Sequence, residues 1–385
     1  MAFAFSSAGE SHGRGIISLI SGVPAGFTVL TLDINRDLSR RQRGYGRGGR
    51  MKIESDEATI LSGIRGGVTL GTPVCFLIQN KDWENWSQYL DPQKIEPGKE
   101  LTRPRPGHAD LAGGMKFGHR DLRNVLERAS ARETAARTAA GSLAKSLLAP
   151  FGIDFFGYVA SIGGIHVVSD DVPLKERREC ALESPFGTPN GDRDGEIREK
   201  LDEATDRGDT VGGEIEIIVT GLPPGLGSPA QWNTRLDGKL AAAIMSIPAI
   251  KGVEIGDGFR LAEKWGSDSH DEIFHNKDSG YFRKTNHAGG LEGGMTNGEP
   301  LIIRAAMKPI PTLKKSLASV DIITKEASAA AHERSDVCAV PAAAVVGEAM
   351  AALVLAGAFL EKFGCDNKDD IMKNYRAYRK RIGDF

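Results

Sequence analysis

The sequence lacks most of the short motifs that identify common classes of enzyme and binding protein. No Walker loop is present and no G-x-G-x-x-G follows a strand pattern, so neither a P-loop nor a classical dinucleotide-binding fold is supported. No G-x-S-x-G turn marks a hydrolase nucleophile. Cysteine is scarce and scattered without CxxC spacing, which predicts neither a metal site nor a disulfide framework, at Cys75, Cys180, Cys338 and Cys365.

The sequence also has little net charge, and its first residues do not show the pattern of a signal peptide. A net charge of −2 argues against general nucleic-acid coating. The N-terminal MAFAFSSAGESHG has no basic region followed by a long apolar stretch, so no signal peptide is expected. Reduced cysteines suit the cytoplasm. Residues 339–360 are long and apolar enough to span a bilayer, but they are alanine-rich and lack a basic, aromatic flank. They predict a buried helix beginning at Pro341, and hence no membrane partner.

Glycine is abundant, at 47 of 385 residues, and it falls in clusters between apolar runs. Two of these clusters repeat. GEIEIIVTGLPPGLG (213–227) resembles GIISLISGVPAGF (15–27), and GGMTNGEPLIIRAAMKP (293–309) resembles GGVTLGTPVCFLIQN (66–80). The repeats keep their order, which predicts one domain over 1–385 with two related halves; coincidence is the alternative, since Gly-Pro turns are common. The charged tail, 366–385, is expected to fray.

Basic residues concentrate in 103–141, which holds eight Arg or Lys against four acids. A loop containing His108 leads into apolar residues at helical spacing, which predict one helix from Asp121 to the Pro150 region. A basic helix start preceded by such a loop suits a bound phosphate. The alternative is a solvated basic face.

Other candidate groups lie in glycine-rich or Pro-rich loops. His12 stands beside Ser11 between Gly9 and Gly13, where an imidazole can act as an acid or base; a plain loop histidine is the alternative. An arginine loop can match phosphate or carboxylate groups, although an RNA-binding loop is the competing interpretation, at Arg40, Arg41, Arg43, Arg47 and Arg50. Further candidates are Lys308, the Arg128/Ser130/Arg132 set and Arg334-Ser335-Asp336. Together they favour an enzyme for a small, multiply anionic substrate with a phosphorylated cofactor.

Several blocks of sequence resemble the chorismate synthase family, in order from about residue 3 to about residue 362. They are GESHGRGIISLISGVP (9–24), RRQRGYGRGGRM (40–51), RPGHAD (105–110), ERASARETAARTAAG (127–141), GDTVGG (208–213), AIMSIPAIKGVEIGDGF (243–259), TNHAGGLEGGMTNGEP (285–300), KPIPTL (308–313) and RSDVCAVPAA (334–343). The resemblance implies an α+β fold, a β-α-β-α sandwich with two pseudo-symmetric halves, in a homotetramer. It implies trans-1,4-elimination of phosphate from 5-enolpyruvylshikimate 3-phosphate to give chorismate, with reduced FMN and no net redox change.

The resemblance also assigns roles. His12 is similar to the histidine that gives a proton to the departing phosphate, His108 to the one beside the flavin ring, and Asp336 to the carboxylate that aids proton removal from C6. The positions similar to FMN contacts are Arg128, Ala129, Ser130, Ala249, Gly293, Lys308, Pro309, Ile310, Pro311, Thr312 and Arg334. Those similar to contacts of a nicotinamide phosphate or of the substrate anion are Arg41, Arg47, Arg50 and Arg132.

Three positions depart from the family pattern. Ala129 replaces a common serine and Pro248 an asparagine found in some members, so a side-chain contact to FMN is in question at each position. Val337 replaces a proline that often follows Arg-Ser-Asp, which affects the turn that orients Asp336. The motifs leave open whether the chain reduces its own flavin or uses NADPH through an external reductant. A flavin-binding protein without catalysis is a further alternative, which the intact His12, His108 and Asp336 do not favour.

Overall fold

The fold is known from a computed structural model, which describes residues 2–47, 55–94, 96–167, 171–277, 280–333 and 335–385. Two candidate site residues, Arg50 and Arg334, lie outside the described residues.

The first half of the chain forms a four-stranded antiparallel sheet. Strand β2 shows why it forms: Ile16, Ser18 and Ile20 are buried on one face, and Ile17 and Leu19 point to the other. The strand order is β1-β2-β6-β3, and a short β4–β5 hairpin joins its last strands. The elements are β1 (Ala4–Ala8), β2 (Gly15–Ser21), α1 (Thr31–Gln42), β3 (Ala58–Ser62), β4 (Ile64–Arg65), β5 (Val68–Thr69) and β6 (Val74–Gln79).

Three helices link the two halves: α2 (Asp110–Phe117), α3 (Arg123–Ala129) and α4 (Thr134–Leu148). The single helix predicted from Asp121 onward is wrong in one respect, because it breaks at Ser130. That residue has extended backbone angles, φ −66° and ψ 142°, and its side chain accepts a hydrogen bond from Arg132 N. The break turns the Ser130 hydroxyl toward the N-terminal loop.

The second half forms a five-stranded antiparallel sheet in the order β10-β15-β9-β7-β8. Its elements are β7 (Asp154–Ile162), β8 (Ile165–His166), α5 (Leu174–Glu183), α6 (Asp194–Asp206), β9 (Gly213–Thr220), α7 (Leu236–Met245), β10 (Ile250–Ile255), α8 (Gly266–Ser269), β11 (Ile273–Asn276), β12 (Gly280–Arg283), β13 (Leu291–Glu292), β14 (Met295–Thr296), β15 (Leu301–Met307), β16 (Ala318–Val320), β17 (Ala327–Ala329), α9 (Val340–Phe363) and α10 (Lys368–Gly383).

The two halves share one topology. The order β1-β2-β6-β3 in the first sheet corresponds to β7-β9-β15-β10 in the second. The turns match as well: Thr69 Oγ1 donates to Pro24 O at 2.6 Å, and Thr296 Oγ1 donates to Pro223 O at 2.6 Å. The halves are therefore pseudo-symmetric in strand order and in this buried turn.

The layers follow the apolar faces. Helices α1, α4, α7 and α9 lie between the two sheets, and one hydrophobic core includes residues from all of them. On the outer face of the second sheet, α5 covers Phe156, Tyr158 and Ile218 with Leu174 and Ala181. The result is a β-α-β-α order of layers.

Helix α9 runs through the middle of this core. Of the described residues, it is the one helix long and apolar enough to cross a membrane by length and composition, and 89% of its most apolar window is buried. The prediction of a buried helix near Pro341 is confirmed, with Pro341 in the first turn.

The C-terminal segment differs from the frayed tail predicted for 366–385. Residues 368–383 form α10, whose first turn is capped by the Asn367 side chain accepting from Asp370 N. Ile371 is fully buried, and Tyr378 Oη donates to Pro224 O at 2.7 Å. A helix cap, the buried Ile371 and the contacts of Tyr378 with Pro224 and Phe363 therefore stabilise a segment whose sequence is mostly charged and polar.

Candidate active site

His12 is held from two sides in the loop between β1 and β2. Its Nδ1 lies 2.9 Å from Glu127 Oε1, and its backbone N donates to Glu127 Oε2 at 2.8 Å. Burial alone would raise the pKa of Glu127, but the bonds from His12 and the nearby Arg123 outweigh it and lower that pKa. The ionised carboxylate can only accept, so His12 Nδ1 carries the proton of this hydrogen bond.

The last turn of α3 and the break after it bind the same loop. Ser11 Oγ donates to Ser130 Oγ at 3.0 Å, and Ser11 N donates to Glu127 O at 2.9 Å. The Arg128 guanidinium donates to Ser7 O at 3.0 Å and to Gly9 O at 3.2 Å. The structure thus brings Arg128, Ala129 and Ser130 against the His12 loop.

Arg41 and Arg132 share one buried carboxylate, Asp56. Arg41 Nη2 donates to Asp56 Oδ2 at 2.5 Å, and Arg132 Nη1 donates to Asp56 Oδ1. Burial alone would raise the pKa of Asp56, but the two cations outweigh it and lower that pKa. Two arginines expected to hold a ligand anion are therefore already paired. No described residue accepts from Arg41 Nε, which is buried, so this cluster keeps one donor for an anion.

Asp336 and Arg47 form an ion pair at 3.0 Å beside this cluster. Their loops are joined by the backbone, since Val337 N donates to Gly46 O at 2.8 Å. Val211 N donates in turn to Val337 O at 3.0 Å. The 208–213 loop, the arginine loop and the Asp336 segment therefore meet at one place, and Val337 takes part through its backbone.

His108 is the second histidine bound to a carboxylate. Its Nδ1 lies 2.6 Å from Asp110 Oδ1, and Arg105 Nε donates to the other oxygen of Asp110 at 2.8 Å. Arg105 Nη1 also donates to Thr312 Oγ1 at 2.9 Å. His108 is thereby linked through Arg105 to the KPIPT segment.

The KPIPT segment packs on the loop before α2. Lys308 Nζ donates to Gly107 O at 2.6 Å, and Lys308 N donates to Ala249 O at 3.0 Å. Ala249 itself adopts φ 70°, a left-handed conformation that is costly for alanine. Thr210 Oγ1 donates to Ile310 O at 2.8 Å, which connects this segment to the Val211–Val337 contact. Ala249, the 308–312 segment and His108 therefore belong to one region.

Gly293 stands apart from that region. It lies in the β13–β14 hairpin, which precedes β15, whereas Lys308 follows the end of β15. A seven-residue strand is roughly 23 Å long, so the two positions lie at opposite ends of the sheet. Among the described residues, the structure does not bring Gly293 to the other candidates.

Residue-by-residue reading of the sequence missed the partners of these groups. Glu127, Asp110 and Asp56 hold the two histidines and two arginines, and Trp86 stacks on His12 with ring centroids 4.0 Å apart. Asp110 had a local signal, because it stands two residues after His108. Trp86 and Asp56 are brought in by tertiary structure, and their neighbours in sequence do not mark them.

The arrangement suits acid–base chemistry on an anionic ligand. Two imidazoles are each fixed by a carboxylate, and three arginines, Arg41, Arg47 and Arg132, lie around Asp56 and Asp336. A cavity of about 620 Å³ opens beside His108, within the usual range for small-molecule sites, lined by Pro104, Arg105, Gly107, His108, Leu111, Met115 and Val320 among others. The described residues contain no group of three or more His, Cys, Asp or Glu arranged to hold a metal ion.

Comparison with known proteins gives one consistent family. A family model described as chorismate synthase matches residues 3–360. The chorismate synthase of Desulforudis audaxviator is 54% identical over 378 residues, covering 98% of this chain and 97% of that protein. That of Carboxydothermus hydrogenoformans is 53% identical over 384 residues, covering 100% of both. A solved structure described as "Crystal Structure of Chorismate Synthase" has a TM-score of 0.82 and 42% identity, covering 100% of this chain and 99% of that chain. This likeness confirms the predicted fold class.

Proposed function

The chain belongs to the chorismate synthase family, and on that premise we propose how its residues divide the work. The family activity is that of a lyase in the shikimate pathway of aromatic amino acid biosynthesis: phosphate is eliminated from 5-enolpyruvylshikimate 3-phosphate to give chorismate. One observation carries the assignment of residues. His12 and His108 are each bound to a buried carboxylate within 3 Å.

In this proposal the protonated His12 ring delivers the proton on its Nε2 to the departing phosphate. The Glu127 carboxylate holds the proton on Nδ1, which fixes the ring while the phosphate oxygen develops negative charge. Arg41 and Arg132 place positive charge on the same side of the site, and the buried Arg41 Nε supplies a donor that no described residue uses. Asp336 accepts the proton from C6 of the substrate. Its pairing with Arg47 keeps a carboxylate next to a cation that can also meet a substrate anion.

The residues around His108 fit a flavin mononucleotide. The cavity beside His108 has apolar walls from Pro104, Leu111 and Met115, which suit a ring system. Arg105 lines the cavity and Lys308 donates to Gly107 in its wall, and both are cations suited to a phosphate. When bound, the reduced flavin supplies an electron transiently to ease cleavage of the allylic C–O bond. Asp110 holds the proton on His108 Nδ1 and so fixes the ring beside the cavity, where His108 would help to set the protonation of the flavin. The 308–312 backbone and Ala249 shape the site.

Other expected features remain part of the proposal. We place the enzyme in the cytoplasm as a homotetramer, and Gly293, at the far end of the second sheet, would then contact the flavin of another copy. We also propose that the matched turns at Thr69 and Thr296 descend from an internal duplication over 1–385. The RNA-binding alternative is not favoured, because Arg41 and Arg47 face carboxylates of their own chain.

The test is an air-free assay with photoreduced FMN and 5-enolpyruvylshikimate 3-phosphate, with release of inorganic phosphate as the readout. We expect release that depends on reduced flavin, and large losses of turnover in His12→Ala and His108→Ala with the fold intact by circular dichroism. Unchanged turnover in either variant would reject its role. Substituting NADPH for photoreduction in the same assay decides whether the chain reduces its own flavin.

A further inference from the structure

The segment between β6 and the 103–141 region places an indole on the His12 ring. Trp86 and His12 stack with ring centroids 4.0 Å apart and an interplanar angle of 24°. The side chain of His12 is 13% exposed. The composition of residues 81–100 predicts only a polar surface segment. The contact between Trp86 and His12 places this segment beside a proposed catalytic residue.

Trp86 is itself held by its surroundings. Its Nε1 donates to Asp82 Oδ2 at 3.1 Å, which fixes the plane of the indole. Lys99 Nζ lies 5.0 Å from the ring centroid and Arg123 Cζ lies 5.0 Å from it, both in cation–π geometry. Two cations therefore lie against the indole that stacks on His12, and the Glu127 carboxylate binds both His12 Nδ1 and Arg123 Nη1.

The two contacts restrain different motions of one imidazole. Glu127 holds Nδ1 through a directional hydrogen bond, which sets the rotation of the ring about its own axis. Trp86 covers the ring face, which limits tilting and excludes water from that side. The stack alone would leave the His12 ring free to rotate in its plane, and the hydrogen bond alone would leave it free to tilt. Both contacts are therefore needed to fix the direction of Nε2.

We propose that Trp86 and Glu127 are positioning residues that together aim His12 at the departing phosphate. The inference rests on the proposed role of His12 as the proton donor. Arg123 supports the arrangement, since its Nη1 lies 3.4 Å from Glu127 Oε1 and its Nη2 donates to Glu333 at 2.9 Å. Neither Trp86 nor Glu127 needs to touch the substrate for this function.

A double-mutant cycle on turnover tests the inference in the full-length chain loaded with reduced FMN. Trp86→Ala and Glu127→Gln are each expected to lower kcat about tenfold or more with KM changed less than about twofold, the cost typical of groups that orient a functional ligand. Trp86→Phe, which keeps a stacking ring, should recover most of the loss. In a His12→Ala background, both substitutions should lower kcat less than about twofold further, because coupled residues are not additive.

The outcomes separate the two proposals. If His12→Ala leaves turnover intact, the proposed role of His12 fails. If His12→Ala abolishes turnover while Trp86→Ala and Glu127→Gln leave kcat unchanged, the positioning role fails alone. Equal losses from Trp86→Ala with and without His12 would also overturn it, since they would show that Trp86 acts through the fold or through the substrate.

A second readout needs neither flavin nor substrate. A chain in which Trp83, Trp232 and Trp265 are replaced by Phe leaves Trp86 as its one tryptophan. Because His12 covers the indole, its removal changes the surroundings of the ring, so His12→Ala should change the intensity or wavelength of Trp86 emission, and Glu127→Gln should change it part of the way as the ring loosens. Unchanged emission in both variants would overturn the stacked arrangement.

Discussion

His108 Nδ1 lies 2.6 Å from Asp110 Oδ1, and the Asp110 side chain is fully buried. Burial alone would raise the pKa of Asp110, but the hydrogen bonds from His108 and Arg105 outweigh it and hold that pKa well below its usual range. The carboxylate is therefore ionised at neutral pH. It fixes both a proposed proton donor and Arg105, which reaches the 308–312 segment.

Asp110→Asn should lower kcat about 10- to 100-fold, the usual cost of losing a carboxylate that orients a functional imidazole. The amide can donate to His108 Nδ1, which favours the wrong tautomer. Turnover of the flavin-loaded chain measures the effect. Asp268→Asn, on the exposed helix α8, is the matched control and should leave turnover unchanged. A loss confined to KM would contradict the role given to Asp110.

The buried Glu348 predicts a specific dependence of stability on pH. Its carboxylate is fully buried on α9 and accepts from Arg40 Nη1 at 2.8 Å, Lys145 Nζ at 3.0 Å and Gly157 N at 2.8 Å. Burial alone would raise the pKa of Glu348, but Lys145 and Arg40 outweigh it and lower that pKa to about 2. A depressed carboxyl pKa contributes stability that is fully present above the unfolded value and is lost as pH falls through the folded one.

Glu348→Gln should therefore destabilise the chain by about 3 kcal/mol at pH 7, since it removes one of the two carboxylates that pair with the half-buried Arg40 and Lys145 and leaves only Asp37. The difference in free energy of unfolding between this variant and the unaltered chain should persist down to about pH 4.5 and shrink to zero toward pH 2. Urea unfolding at a series of pH values measures it. Glu361→Gln, an exposed site on the same helix, is the control. A difference that is constant across this range would show that the charge of Glu348 is not what stabilises the fold.

Gly141 marks the closest approach of α4 and α9. A Cβ at this position would lie 2.3 Å from Ala349 Cα and 2.7 Å from Ala349 O, so the helices would have to separate. Gly141→Ala should destabilise the protein by about 1–3 kcal/mol, as overpacking of a core does. Gly238→Ala, on α7 with open space around its Cβ, should instead be neutral or stabilising by up to about 1 kcal/mol. Urea midpoints distinguish the two, and equal effects would refute the close packing.

The family resemblance was sufficient for the class of the fold, and local apolar patterns were sufficient for the buried helix that begins near Pro341. His12 and His108 could be named as candidates because each stands in a glycine-containing loop. The break of the predicted long helix at Ser130 was not visible, since Ala129 and Ala131 continue a helical pattern on either side of it. Only the extended backbone of Ser130 shows where the helix ends.

The partners of the site could not be predicted for a different reason. Trp86 meets His12 across 86 − 12 = 74 residues, and Asp56 meets Arg132 across 76. Such contacts depend on how several turns are folded, so no short window of sequence contains them. The roles of Arg41 and Arg132 were similarly underdetermined, because a sequence displays their charge without displaying the carboxylate that neutralises it.

Asp56→Asn gives the sharpest test of whether this arginine cluster accepts an anion. Arg41 and Arg132 are 4% and 6% exposed and share the Asp56 carboxylate, and burial lowers the pKa of Arg41. Loss of that charge should destabilise the chain by about 3–5 kcal/mol, the cost of leaving buried cations uncompensated. Glu57→Gln, the exposed neighbour, should have little effect.

The same variant should respond more strongly to inorganic phosphate. An anion that enters between the two guanidiniums would replace the missing carboxylate, and a ligand that binds the folded state alone raises stability with its concentration. Phosphate should therefore raise the Tm of Asp56→Asn more than that of the unaltered chain, in which Asp56 competes for the same donors. Chloride at matched ionic strength controls for screening. An equal response of both chains to phosphate would mean that Arg41 and Arg132 serve the fold alone, and that the substrate anion must be held by other residues.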